Sequence, residues 1–186
     1  VGGDGDLVGV IGFDRGNGSG TGRYYFELNQ QKHSNINPPR TIGDVRIVVG
    51  INGNDLEECQ GVQLWTAGGW GTVKPCSTLV SFAVNGTAIK DYYGSPFDDS
   101  NGNLPVNQFM ELSINLTKAG ATTCPVTGFR TFDMRTQEGG ENGDTSRLKD
   151  VTSGEVHIPS DCGSLVIEKK VDGTLGAAGQ GAVLQV

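Results

Sequence analysis

The chain has 186 residues, 30 of them Gly, with 14 Lys+Arg against 21 Asp+Glu and a formal net charge of −7. That balance argues against a surface built to neutralise phosphates or to rest on anionic lipid, so nucleic acid is not an expected partner. The glycines follow no G-x-y period, and the 35% hydrophobic residues fall in short runs below the ~18 residues of a membrane span, which excludes collagen, disorder throughout and membrane insertion in this segment.

Period-two patterning predicts strands along most of the chain. In order they are Leu7–Phe13, Gly22–Leu28, Asp44–Ile51, Val62–Thr66, Leu79–Val84, Phe109–Leu116, Phe129–Arg135, Arg147–Asp150 and Ser164–Val171. Val45, Ile47, Val49 and Ile51 share one side of the third, with Arg46 and Val48 on the other. In the sixth, Met110, Leu112, Ile114 and Leu116 alternate with Phe109, Glu111, Ser113 and Asn115. Asn-Gly and Asp-Gly turns at 17–18, 85–86, 101–102, 142–143 and 172–173 punctuate the series. Only Asn115–Gly120 reads as a helical turn. Many short strands without amphipathic helices between them predict an all-β fold, an antiparallel β-sandwich or jelly roll with long Gly-rich loops. Pro159–Cys162 marks a boundary between a module at 1–162 and a tail at 163–186; the tail stops at Val186 within an apolar run, as if the polypeptide continued.

Cysteines stand at 59, 76, 124 and 162, and histidines at 33 and 157. This spacing does not suit a zinc site. Four widely spaced Cys suggest two disulfides among three possible connectivities; Cys59–Cys76 with Cys124–Cys162 is favoured because each would tie off a Gly-, Thr- or Pro-rich loop. Oxidising surroundings follow. The N-x-S/T triplets at Asn17, Asn85 and Asn115 are too common by chance in such a chain to imply glycosylation.

The catalytic inventory is thin. His33 lies in a polar loop and His157 in an expected strand, neither beside a recognisable nucleophile, and the adjacent carboxylates Glu57-Glu58 and Asp98-Asp99 read as solvated turn residues. Calcium is the one cofactor considered: Asp98, Asp99 and Asn101 place several oxygens in a tight Gly-containing turn, without the full spacing of a calcium loop. A second acidic loop holds Glu138, Glu141 and Asp144. For recognition, Trp70, Tyr92 and Tyr93 sit on Gly-rich loops where an aromatic can offer a flat face to a sugar or protein. Trp65, in the alternating Val62-Gln63-Leu64-Trp65 run, is expected in or over the core.

Two resemblances cover most of the chain. Leu7–Arg15, Tyr24–Asn29, Gly43-Asp44-Val45, Phe82–Gly86, Phe109–Thr117 and Ser146–Asp150 together resemble the N-terminal β-sandwich module of secreted, wall-anchored bacterial surface proteins. Gly163–Gly173 followed by Gly181–Val186 is similar to the opening two strands of a prealbumin-like (SpaA or collagen-adhesin B-type) stalk repeat. In that family a Lys near the end of the first strand attacks an Asn amide on the last strand, and Lys170 matches this isopeptide position best. The chemistry needs a buried, deprotonated amine beside a proton-shuttling carboxyl.

The resemblances imply a non-enzymatic module at the bacterial cell surface. It would act in adhesion or as a pilus-like fibre subunit, with other copies of itself or a surface protein or glycan as partner. The alternative is a lectin-like domain that binds carbohydrate through its loop aromatics.

Overall fold

The computed structural model describes residues 5–16, 22–34, 37–52, 55–92, 94–122, 128–138, 148–158, 170–171 and 174–175. Its strands are β1 (Val8–Asp14), β2 (Gly22–Asn29), β3 (Val45–Asn52), β4 (Asp55–Thr66), β5 (Gly69–Trp70), β6 (Val80–Val84), β7 (Ile89–Lys90), β8 (Asn103–Leu104), β9 (Phe109–Asn115), β10 (Phe129–Glu138), β11 (Leu148–Ile158), β12 (Lys170–Val171) and β13 (Thr174–Leu175). One helical turn, α1 (Leu116–Ala119), follows β9.

Antiparallel pairing arranges these as a three-stranded sheet, β1-β9-β6, and a six-stranded sheet, β11-β10-β2-β3-β4-β5. Two small ladders, β7-β8 and β12-β13, complete the description. The larger sheets face each other across one core: Phe26, Leu28, Val45, Ile47, Val49 and Val62 from one side meet Val80, Leu112, Ile114 and Leu116 from the other. Phe13 and Phe26, with ring centroids 5.1 Å apart, bridge the two sheets. The fold is therefore an all-β sandwich, as the period-two pattern implies.

Alternation places the core residues. In β3 the expected side of Val45, Ile47 and Val49 is fully buried, and in β9 so is that of Met110, Leu112 and Ile114. The expected helical turn forms where the next residue, Leu116, must also be buried: the Asn115 side chain accepts the Lys118 N–H as N-cap, and Gly120 closes the turn at φ +80°. Lys74 Nζ donates to the freed Ala119 carbonyl at 2.6 Å, a cation at the helix C-terminus.

β4 carries a bulge. Val48 pairs with Gly61 but Val49 with Cys59, so Gln60 is an extra residue and the strand changes phase. Gly61 takes φ +150°, and a Cβ there would stand 2.1 Å from the Val73 side chain. Through this shift both Val62 and Cys59 face the core, and Cys59 bonds to Cys76, 17 residues on. The expected pairing of these two cysteines is present. Cys124 and Cys162 lie outside the described residues.

Other expected strands differ mainly in length. β4 starts seven residues before Val62, and β11 runs to Ile158, taking His157 with it. Of Ser164–Val171 only β12 lies within the described residues, where Lys170 pairs with Leu175 and Val171 with Thr174. Among the described residues no helix is long and apolar enough to cross a membrane.

Candidate functional site: an arginine and tryptophan pocket

The central strands of the larger sheet are buried on both faces. One face meets the apolar core. The other carries alternate polar residues, and strand register lines up Asp133 of β10, Glu27 of β2, Arg46 of β3 and Gln63 of β4 in a single row. Arg135 of β10 and Tyr25 of β2 form the neighbouring pair. Burial of charged groups here requires partners.

Residues 30–44 supply some of them. Asp44 closes this loop at its neck, accepting hydrogen bonds from Gln30 N (2.9 Å), Gln30 Nε2 (3.0 Å) and Thr41 N (2.7 Å). Burial still raises its carboxyl above the ordinary pKa, against the opposing effect of those bonds and of Arg40. With the neck fixed, Arg40 reaches Glu27: Nη2 donates to Oε2 at 2.9 Å and to Oε1 at 3.1 Å, and Nε donates to Oε2 at 3.1 Å. Glu27 is 1% exposed. Arg46 donates from Nε and Nη2 to Gln63 Oε1 at 3.2 and 2.7 Å, and Gln63 in turn donates to the Gly71 carbonyl at 2.9 Å.

Aromatic rings hold the guanidinium groups from the side. Trp65 and Trp70, paired across β4 and β5, meet edge to face at 5.2 Å. The Arg40 guanidinium carbon lies 5.3 Å from the Trp65 centroid and 5.2 Å from that of Trp70. That of Arg46 lies 4.4 Å from Trp70 and 5.2 Å from Tyr25. Each contact at partly desolvated positions contributes on the order of 0.5–2 kcal/mol and fixes the orientation of the cation. These groups, with Arg135, Asn37 and Gln137, line an open cavity of about 430 Å³. Its walls hold three guanidinium groups and one carboxylate, Glu27. An acidic chain thus concentrates positive charge at one concave place.

A second buried polar group adjoins the row. His33, from the same loop, places Nε2 3.1 Å from Asp133 Oδ2, off the line of a hydrogen bond, with both side chains almost fully buried. Asn29 Nδ2 donates to the same carboxylate at 2.7 Å. Burial raises the Asp133 pKa, offset in part by His33 and augmented by Glu27. Thr131 Oγ1 donates to Gln31 O at 2.9 Å and accepts from His33 N at 3.3 Å. This cluster pins the loop to the sheet.

The sequence candidates fall in several places. Trp70 lines the pocket, but its ring already packs against Arg40 and Arg46. Trp65 lies on the face opposite the core, because Leu64 takes the inward position in β4. Tyr92 is 85% exposed after β7 and is not part of the pocket wall; Tyr93 lies outside the described residues. Asp98, Asp99 and Asn101 occupy the turn leading into β8. There Asp99 accepts the Asn101 and Asn103 backbone N–H groups, which lower its pKa, while partial desolvation, Asp91 and Asp99 raise that of Asp98. The Asp99 oxygens thus serve the turn, and among the described residues no group of three His, Cys, Asp or Glu side chains is placed to hold a metal. The Lys170 side chain, and those of Glu57, Glu58 and Glu138, lie outside the description, as do Asn17, Glu141 and Asp144. Asn115 is buried and Asn85 bonds to Phe109 N, Thr87 O and Pro105 O, so both side chains serve the fold.

Glu27, Arg40, Arg46 and Arg135 had no motif to announce them. The available signal was alternation: Tyr25, Glu27 and Asn29 between Tyr24, Phe26 and Leu28, and Thr131, Asp133, Arg135 and Gln137 along β10. Comparisons with protein-family models, with curated proteins and with solved structures find no match to this chain.

Proposed function

We propose that this chain is a non-enzymatic, extracellular binding module of a surface protein, acting in adhesion through the pocket between β2, β3, β4, β5 and β10. The observation that carries this reading is the set of arginines fixed by tryptophans around an open cavity. Donors held rigid before a ligand arrives lose little entropy on binding. The lining favours recognition over turnover. Its carboxylate is engaged by Arg40, and the other polar groups are guanidinium, amide, indole and the phenol of Tyr25, with no His, Ser, Thr, Cys or Lys side chain among the lining residues to serve as nucleophile or general base. The Cys59–Cys76 bond fits an oxidising compartment.

The test is a screen of immobilised glycans and extracellular-matrix proteins with the wild-type chain and Trp70→Ala. Binding that falls at least tenfold in the variant, with its melting transition intact, supports the reading; undiminished binding, or no ligand for the wild type, refutes it. A fibre-subunit role is a second reading, supported by the resemblance of residues 163–186 and by β11, an edge strand of the six-stranded sheet. Lys149, Asp150 and Glu155 on that edge oppose simple strand addition, and concentration-dependent filaments in light scattering would favour it nonetheless.

A further inference from the structure

We propose that His33 and Asp133 form a proton-operated latch: one proton held between them keeps the loop from β2 to β3 closed over the sheet, and its loss frees that loop. As regulation of the pocket, this rests on the binding-module reading above. His33 Nε2 stands 3.1 Å from Asp133 Oδ2, with the two side chains 2% and 1% exposed. A carboxylate oxygen and an unprotonated ring nitrogen are both acceptors, so at this distance in a dry site they repel unless one carries a proton. Asn29 Nδ2 donates to Oδ2 at 2.7 Å, while Asp133 Oδ1 and both His33 nitrogens are buried without a hydrogen-bond partner among the described residues. The charges around the pair are otherwise committed. Glu27 and Arg40 pair at 2.9 Å on one side, and Arg135 lies 3.8 Å from Glu27. From β11, Ser153 stands opposite Asp133, and Glu155 opposite Thr131 pairs with Lys32 at the surface, 2.6 Å away. Burial raises the Asp133 pKa, in keeping with a retained proton.

The loop is held mainly by polar contacts. Gln31, Lys32, Ser34, Asn37, Pro39 and Ile42 are exposed, with Pro38 buried between them. Its buried anchors are the neck at Asp44, the Arg40–Glu27 pair, and the His33 end with Thr131 and Asp133. A segment with few buried apolar contacts opens locally before the fold does. The same loop carries Asn37 and Arg40 to the pocket, and the Arg40 guanidinium packs on both Trp65 and Trp70. Opening therefore dismantles one wall of the site. In the open loop an imidazole titrates near its ordinary value, ~6.5. A proton bound more tightly in the closed state stabilises closure below that pH. The stabilisation is lost as pH rises above it, by up to about tenfold per pH unit for one linked proton.

Hydrogen exchange of the loop amides tests the latch without a ligand. Protection factors of the Gln30, His33 and Thr41 N–H groups would be measured from pH 6.5 to 8.5 in the full chain, in His33→Gln and in Asp133→Asn. The expected result is a fall of at least tenfold in the wild type and a change of less than about twofold in both variants. In Asp133→Asn the new amide can donate to a neutral imidazole, so its loop stays closed and a flat profile there reports the missing proton rather than a missing loop. Wild-type protection that does not fall, or is absent throughout, overturns the latch. A fall that persists in His33→Gln or in Asp133→Asn assigns the proton elsewhere and overturns the pair. The chain has two tryptophans and both pack on Arg40, so their fluorescence should shift over the same pH range in the wild type alone. Falling protection with unchanged fluorescence overturns the regulation of the pocket. If the glycan and matrix-protein screen yields no ligand, the binding-module reading falls, while exchange still decides the latch.

Discussion

Replacing Glu27 by Gln removes one negative charge and changes almost no volume. Glu27 is 1% exposed and accepts three close contacts from Arg40, whose side chain is 17% exposed. Gln could keep one acceptor but would turn an amide donor toward guanidinium donors. Breaking a buried ion pair typically costs about 3–5 kcal/mol, and the partial exposure of Arg40 places this one near the lower end, ~3 kcal/mol. For a domain of this size that corresponds to a fall in melting temperature of roughly 6–12 °C. Thermal and urea unfolding at neutral pH would measure it, with Arg40→Met and the double variant completing a cycle. The two single losses should overlap, with a coupling of about 2 kcal/mol. A Glu27→Gln protein that melts within about 2 °C of wild type, or single effects that simply add, would show that the pair does not hold the pocket floor.

Three further outcomes are expected. Replacing Cys59 and Cys76 together by Ala should cost about 3 kcal/mol on the chain-entropy argument, and reductant should lower the wild-type melting temperature but not the variant's. Gly61→Ala should destabilise severely, because its Cβ would meet Val73 at φ +150°; a melting temperature equal to wild type would contradict the bulge geometry. Burial raises the folded-state pKa of Asp133, so its contribution to stability is full below the unfolded value, near 4, and is lost as pH rises through the folded value. Asp133→Asn, which does not ionise, should therefore gain stability relative to wild type between pH 4 and 7 in a melting series; a difference that stays flat or shrinks would refute the sign.

The strands were legible because large apolar residues recur at every second position. Val45, Ile47 and Val49, or Met110, Leu112 and Ile114, announce one dry face whatever the fold around them. The helical turn was legible for a local reason, an Asn cap at 115 and a closing Gly at 120 on either side of four residues. The pocket was not, because its floor depends on which residues of four strands share a row, and its wall on a loop crossing over them. Arg40 and Glu27 are 13 positions apart, and nothing at either position marks the other. Alternation separates Leu64 from Trp65 but does not say which one faces inward; that choice is made by Val62 and the shape of the core. His33 reads as polar because its neighbours are, while its burial comes from Asp133, a hundred residues later in the chain.

The extra residue in β4 also sets which changes of length the strand can absorb. Cys59 and Leu64 point inward while Gln63 and Trp65 point outward, an arrangement that needs one odd step between the two halves. Removing Gln60 takes out this odd step and leaves Cys59 and Val62 facing inward opposite Val49 and Ile47, while the second register shift, between Val49 and Ile51, stays as it is, so this deletion should be tolerated. Removing Gln63 instead shifts either the indole of Trp65 or the core residue Val62 by one place, exchanging the polar pocket face for a hydrophobic interior. Unfolding measurements on the two deletions would separate them, and the tolerated position would mark where insertions and deletions can accumulate without erasing the site.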